Sequence, residues 1–477
     1  MKPIETRYKV LIIGIMMLCV NIATNALTGD EKPLLNERQN SKISAYFDAT
    51  LEGKTAREFD INLRLKENQV EEAKADVWQL WTKAVNSLDN LLPAEPTHPK
   101  TSYWDELKQP DMVWSMGPDS LPMTYLAKGE KPADGYPLTI FLHGSADDPY
   151  QEWAAVKSWC GYFKDEPMVY IIPRSPRGGT QTRWFQPTRQ QIWESIFRQA
   201  AVNPDLDANR IYIAGISEGG YGSQRLASYY ADYLAGAGPI AGGEKLMNCP
   251  TANLANVAYI QQTGEKDRAW RRDWLTRLAG HQLDSLAKAH PGYYIHKVDL
   301  QPGRGHGCDY TLTTPWLSQF SRNALPRYFY WENYPMGDAN GEKARYRNSF
   351  YNLEILEPSD DRTNPMVRSA YEMTVDSASN TIDLNASVVS LEETGYDDYF
   401  DMKFDLEKQV RPATSGRVRI YLNDRLVDLN RPVTVKLNGK EIYRGRPKLT
   451  LGNLVRSCAL FGDPQRLFPA SVEIPIK

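Results

Sequence analysis

Histidine and cysteine are the scarce reactive residues of this 477-residue chain, with six and five copies. The cysteines (Cys19, Cys160, Cys249, Cys308, Cys458) form no C-x-x-C pair and do not sit beside histidines at metal-ligand spacing. That argues against a structural zinc site, and nothing else implies a metal or cofactor. Runs of Lys and Arg are missing too. With 56 basic against 59 acidic residues and a net charge of −3, the chain lacks the basic stripe a nucleic-acid partner requires. No apolar run approaches the roughly 20 residues that cross a hydrocarbon core, and there is no internal repeat or low-complexity tract. What remains is 42% hydrophobic, 24% charged and 11% aromatic. This is ordinary globular material, and at roughly 150 residues per domain it suggests about three domains.

Residues 1–26 read as a secretion signal. Lys2, Arg7 and Lys9 form a basic head, Val10–Val20 an uncharged apolar stretch, and Thr24 and Ala26 suit a cleavage site. The expected destination is secreted or periplasmic, with no stable membrane span after cleavage. Removing the signal also removes Cys19. Cys160, Cys249, Cys308 and Cys458 remain, an even number in an oxidising compartment, with three possible pairings and nothing to choose among them.

Three textures follow. Residues 27–110 are polar and helical. Val70, Ala73, Val77, Leu80, Trp81, Ala84, Leu88 and Leu91 mark one amphipathic face, stopped by Pro93 and expected to pack on the domain that follows. Residues 111–330 alternate strand and helix. Leu138–Leu142, Met168–Ile172, Ile211–Ala214 and Val257–Ile260 are short apolar runs of the kind buried on both faces of a parallel sheet. Helices are expected from a Thr188/Gln191 capping box onward, over Tyr221–Leu234 and over Trp270–Ala289. Residues 343–477 alternate with period two, as in Val418-Ile420-Leu422 and Val433-Val435-Leu437, the latter running into an Asn438-Gly439 hairpin turn. The fold class is therefore α/β, with an N-terminal helical region and a C-terminal antiparallel β domain of sandwich type.

Gly215-Ile216-Ser217-Glu218-Gly219 matches G-x-S-x-G between an apolar strand and a helix, the strand–turn–helix setting that exposes a nucleophilic serine. Such a serine needs a base. Of the histidines, His98 sits in a Pro-rich loop, His143 follows an early strand, His281 and His290 fall in a helical pattern and His296 in a strand. His306 remains, in the glycine-rich Gly303–Gly307 loop after the last strand of the α/β region. The base needs a carboxylate. Asp267, in the loop after Val257–Gln262, is preferred, with Glu265 as runner-up and Asp299 less suited inside a strand. The oxyanion donors are expected to be the backbone N–H groups of Glu218 and Ser145, leaving His143 as a loop anchor.

These residues resemble the α/β-hydrolase superfamily, in particular its secreted esterase and dienelactone-hydrolase-like members, which are related to the prolyl-oligopeptidase catalytic domain. The resemblance lies in His143-Gly144, Asn209–Gly220, Gly264-Glu265-x-Asp267 and Gly305-His306-Gly307, and covers about 111–325. It implies an eight-stranded, mostly parallel sheet and a covalent acyl-enzyme route without cofactor or metal. The expected function is cleavage of a small-molecule or glycan-linked carboxylic ester. Two alternatives are a peptidase of short peptides, disfavoured because the N-terminal region has no room for a propeller, and an inactive binding protein on the same scaffold.

Overall fold

The computed structural model describes residues 33–54, 59–61, 63–97, 108–116, 119–145, 148–175, 184–337 and 344–477. The signal read at 1–26, Cys19 and His98 lie outside them. Two helices come first, α1 (Glu37–Leu51) and α2 (Val70–Val85). There follow β1 (Met112–Met116), β2 (Asp119–Lys128), β3 (Tyr136–Leu142), α3 (Pro149–Tyr162), β4 (Met168–Pro173), α4 (Pro187–Val202), β5 (Leu206–Ile216), α5 (Glu218–Tyr229), β6 (Gly236–Ile240), β7 (Ala258–Gly264), α6 (Arg272–Ala289), β8 (His296–Gln301) and the short α7 (Thr313–Leu317).

Strands β1 to β8 form one sheet in the order β1-β2-β4-β3-β5-β6-β7-β8. The β1–β2 and β2–β4 pairs are antiparallel, and every pair from β4 to β8 is parallel. Every residue of β3 and β4 is buried, because helices cover both faces. Leu138, Ile140 and Leu142 of β3 pack with Trp193 and Ile196 of α4. Phe141 points the other way, onto Trp153 and Val156 of α3. The α4 start differs from the expected capping box at Thr188. Gln186 occupies the N-cap position without a side-chain capping bond, and Pro187 opens the helix, its fixed φ and missing N–H suiting the first turn.

The rest of the chain adds β9 (Tyr328–Glu332), β10 (Ser349–Phe350), β11 (Leu353–Glu357), β12 (Val367–Asp376), β13 (Thr381–Asp397), β14 (Met402–Pro412), β15 (Arg417–Leu422), β16 (Val433–Leu437), β17 (Lys440–Gly445), α8 (Leu451–Phe461) and β18 (Ala470–Pro475). They build a four-stranded sheet, β10-β11-β15-β18, and a six-stranded one, β17-β16-β13-β12-β9 with β14 on β13. Pairing is antiparallel except between β13 and β16. Asn438 and Gly439 turn β16 into β17 with φ of 48° and 80°, the two positive values this tight turn demands. Apolar residues of both sheets join one core, among them Tyr371, Leu384, Ile420 and Val472.

The buried face of α2 meets Val202 of the domain that follows, as expected, and also a partner the sequence did not suggest. Trp81, Val77 and Ala73 pack with Phe47 of α1 and with Leu451, Leu454 and Cys458 of α8, from the far end of the chain. Backbone bonds pin the two ends together, Leu65 N–H to Leu449 and Leu451 N–H to Leu63. The cysteine expectation fails. Cys160, Cys249, Cys308 and Cys458 are all free and buried; Cys249 and Cys458 pack in separate apolar clusters, and Cys160 and Cys308 share a third. Burial pushes each thiol upward, so they behave as small apolar side chains. Among the described residues, no helix is long and apolar enough to cross a membrane.

Candidate active site

Ser217 stands at the C-terminal end of β5, where the chain turns directly into α5. The turn is sharp enough to force φ to +55°, a value that is uncommon for a residue bearing a Cβ. Its amide donates to the Ile240 carbonyl at 2.9 Å, holding the turn against β6. The flanking glycines are sterically required. A Cβ on Gly219 would fall within the radius of the Leu142 carbonyl oxygen, and one on Gly215 would strike the Gly219 backbone. The hydroxyl sits at the positive end of a helix of twelve residues, where developing negative charge is favoured.

The neighbouring strands β7 and β8 deliver the other two groups. They pair up to Gly264 opposite Gln301, and the loops beyond them run in contact, with Lys266 N–H donating to the Arg304 carbonyl at 2.8 Å. His306 Nε2 lies 3.0 Å from Ser217 Oγ, and His306 Nδ1 lies 2.7 Å from Asp267 Oδ2. Asp267 is buried, whereas the His306 side chain is about half exposed. Burial alone would raise the Asp267 carboxyl, but the His306 hydrogen bond and the adjacent Arg272 outweigh it and hold it below its ordinary value. Sequence reasoning missed Arg272. Its Nη1 donates to Asp267 Oδ1 at 2.7 Å and its Nε to the Tyr221 hydroxyl at 3.0 Å. Five residues past Asp267 on the first turn of α6, it carries no motif that would have marked it.

Glu265 is exposed, and its carboxylate accepts from the Gly303 amide at 3.0 Å, bracing the histidine loop. Asp299 lies within β8, accepting from Gln301 at 3.2 Å. Three of the other described histidines are engaged elsewhere, and His281 is exposed on α6. His290 stacks on Tyr328 at 4.4 Å, and His296 meets Asp284 at 3.1 Å. His143 is fully buried. Its Nε2 accepts from the Ser175 amide at 2.9 Å, so the proton sits on Nδ1, which donates to the Gly144 carbonyl at 2.7 Å. The Trp184 ring closes against it edge-on at 5.1 Å.

This anchored loop runs alongside the elbow. The Ser145 hydroxyl donates to the buried Glu218 carboxylate, strapping together the two residues expected to supply oxyanion donors. Glu218 is the first residue of α5, at the N-terminal end of the helix. Glu152 of α3 sits behind Gly144. Burial raises its carboxyl, and the Gly144 amide partly offsets this.

The strand order, with a serine elbow after β5 and the acid and histidine loops after β7 and β8, decides the architecture. The chain has the α/β-hydrolase fold. No family model matches it. Over 138 residues it is 30% identical to a poly(3-hydroxyalkanoate) depolymerase C of Paucimonas lemoignei, covering 26% of this chain and 32% of that protein. Over 114 residues it is 32% identical to a bifunctional acetylxylan esterase/xylanase of Neocallimastix patriciarum, covering 23% of this chain and 16% of that one. The chain therefore spans about a third or less of each of these relatives. Among solved structures, a thermostable esterase aligns over 44% of this chain and 62% of its own length at 20% identity and a TM-score of 0.32. A ferulic acid esterase aligns over 44% and 96% at 17% identity and a TM-score of 0.33. Outside the α/β-hydrolase sheet, α1, α2 and the strands from β9 onward are additions to that frame.

Proposed function

We propose that the chain is a serine hydrolase of carboxylic esters, with Ser217 as nucleophile, His306 as base and Asp267 as its orienting acid. The observation that carries this reading is the continuous hydrogen-bonded line from Ser217 Oγ through both ring nitrogens of His306 to Asp267, at 3.0 and 2.7 Å. A scaffold kept only for binding has no need of that alignment. In the first step Ser217 Oγ attacks the carbonyl carbon as its proton passes to His306 Nε2. The oxyanion receives the N–H groups of Glu218 and Ser145. Collapse expels the alkoxide, which takes the proton from Nε2 and leaves the acyl group on Ser217. Water, deprotonated by His306, then attacks the acyl-serine; the acid departs and the proton returns to Oγ. Asp267 stays ionised throughout, holding the Nδ1 proton and favouring the imidazolium form.

The names of the two partial relatives, a poly(3-hydroxyalkanoate) depolymerase and an acetylxylan esterase/xylanase, support an ester bond as the target. The test is labelling by a fluorophosphonate followed by peptide mapping. The adduct is expected on Ser217 and absent from Ser217→Ala. Labelling that persists in the variant, or hydrolysis of peptide anilides with no turnover of nitrophenyl esters, overturns the proposal.

A further inference from the structure

A hairpin of the C-terminal β unit reaches the loop that follows Asp267. Strands β13 and β14 pair out to Asp397 and Met402, and the tip lies against residues 270–274, just past Asp267. Asp397 pairs with Arg271, whose guanidinium sits 4.6 Å from the Phe404 ring. The Phe400 ring lies 6.1 Å from Trp270, and Tyr399 meets Phe400 edge-on at 4.7 Å. The link to the triad is one side chain long. The Arg272 guanidinium is 5.0 Å from the Trp270 ring, and its Nη1 is 2.7 Å from Asp267.

These rings are not core. Tyr399 is 87% exposed, Tyr396 56%, Trp270 46% and Trp274 40%. Folding alone gives no reason to leave so much aromatic surface wet beside an active site. The backbone adds a second observation. Trp270 and Arg271 are both left-handed, with φ of 49° and 58°, a conformation that costs Cβ-bearing residues energy and clusters at functional sites. Here it turns the largest side chain of the loop outward. Charge narrows the class of ligand. Between residues 392 and 405 the hairpin carries six acidic residues against one lysine; Asp397 and Glu393 are paired with Arg271 and Lys245, and the remaining excess of carboxylates repels anionic polymers and is a poor surface for an apolar polyester. Flat aromatic faces rimmed with carboxylate and phenol groups suit a neutral chain with apolar ring faces and hydroxyl edges.

We propose that Trp270, Tyr399 and Phe400 form a stacking subsite for the sugar rings of a neutral polysaccharide that carries the scissile ester. This deepens the ester-hydrolase reading and rests on it for the location of the reaction. The test uses the full chain with Ser217→Ala, so that binding is measured without turnover, in native gels containing soluble xylan, glucomannan or polygalacturonate, alongside sedimentation with poly(3-hydroxybutyrate) granules. A neutral glycan is expected to retard the protein. Adding Trp270→Ala or Tyr399→Ala is expected to weaken that binding about tenfold, the effect of removing a central aromatic anchor, while Tyr162→Ala, 69% exposed on α3, serves as the surface control. Tyr399 makes so little contact that its variant tests the idea even if Trp270→Ala disturbs the loop. Retardation by neither neutral glycan, by polygalacturonate alone, or undiminished by both ring deletions overturns the proposal, as does binding to the granules alone. Failure of fluorophosphonate labelling would overturn the hydrolase reading separately and leave this binding result intact.

Discussion

Ser217 holds a positive φ that an L-residue adopts only at a cost of about 1–3 kcal/mol. Ser217→Ala and Ser217→Gly both remove the proposed nucleophile, but only glycine relieves the strain. Ser217→Gly is therefore expected to melt higher than Ser217→Ala, by about 1 kcal/mol in stability, and equal melting temperatures would mean that the turn is unstrained. At Asp267 the expected effect is on rate. Asp267→Asn keeps the shape but offers His306 the wrong tautomeric partner, and kcat on a nitrophenyl ester should fall by about 10³–10⁴-fold with little change in KM. Arg272 positions Asp267 and does not touch the reacting atoms. Removing its charge leaves a buried carboxylate held only by His306, so Arg272→Met should lower kcat less than Asp267→Asn does. Because the missing cation lets the carboxyl rise, the variant should also lose activity at a higher pH than the parent on the acid side. The pairing of Asp267 with His306 was legible as an expectation because few histidines compete and both residues lie in loops that follow a strand. Arg272 was not, because its role depends on where the first turn of α6 lands.

Elements were easier to recognise than their neighbours. The three- and four-residue spacing of Val70, Ala73, Val77, Trp81 and Ala84 specifies a helix with one buried face, and α2 has that face. That α8 also covers it was hidden, since α8 lies more than 350 residues downstream and its own stripe looks like any other. Trp81 is fully buried and stacks edge-on with Phe47 at 5.0 Å. Trp81→Ala should cost about 3–5 kcal/mol and loosen both ends of the chain together, so protection from hydrogen exchange is expected to fall in α8 as well as in α1. Loss confined to α1 and α2 would contradict the packing. The β13–β14 hairpin is the converse case. It falls inside the region expected to be antiparallel β, yet nothing in it announces that the tip will meet the loop after Asp267.

At the scale of the molecule, a buried ion network joins the hydrolase sheet to the later strands. Asp232, after α5, pairs with Arg347 before β10 and with Arg466 before β18, the latter at 2.7 Å. Asp463 bridges Arg466 and Arg322, both at 2.8 Å. Removing one partner strands a buried charge, so Asp232→Ala should cost about 3–5 kcal/mol. The network also sets a pH dependence. Burial by itself would raise Asp463, but Arg322 and Arg466 hold it at about 2, against an ordinary 3.8. Asp232, beside Arg347 and Arg466, and Glu332, beside Lys408 and Arg368, are likewise lowered. A carboxylate depressed in the folded state stabilises fully above its unfolded pKa, and that contribution is lost as pH falls through the folded value. Stability at these sites is therefore expected to be level above about pH 5 and to decline from about 4 toward 2. A melting temperature that stays flat down to pH 2 would argue against the network.

Local chemistry in the sequence determined the parts that depend only on near neighbours: apolar runs that must be strands, a glycine-flanked serine between strand and helix, the Asn438-Gly439 turn, and a histidine among glycines. Each rests on sterics or periodicity within a few residues of itself. The free, buried state of the four cysteines, the joining of α8 to α2, the Arg272 support of Asp267 and the aromatic hairpin beside the loop after Asp267 were decided by tertiary structure alone. They depend on which distant surfaces bury one another, and burial between segments hundreds of residues apart leaves no local signature in the chain.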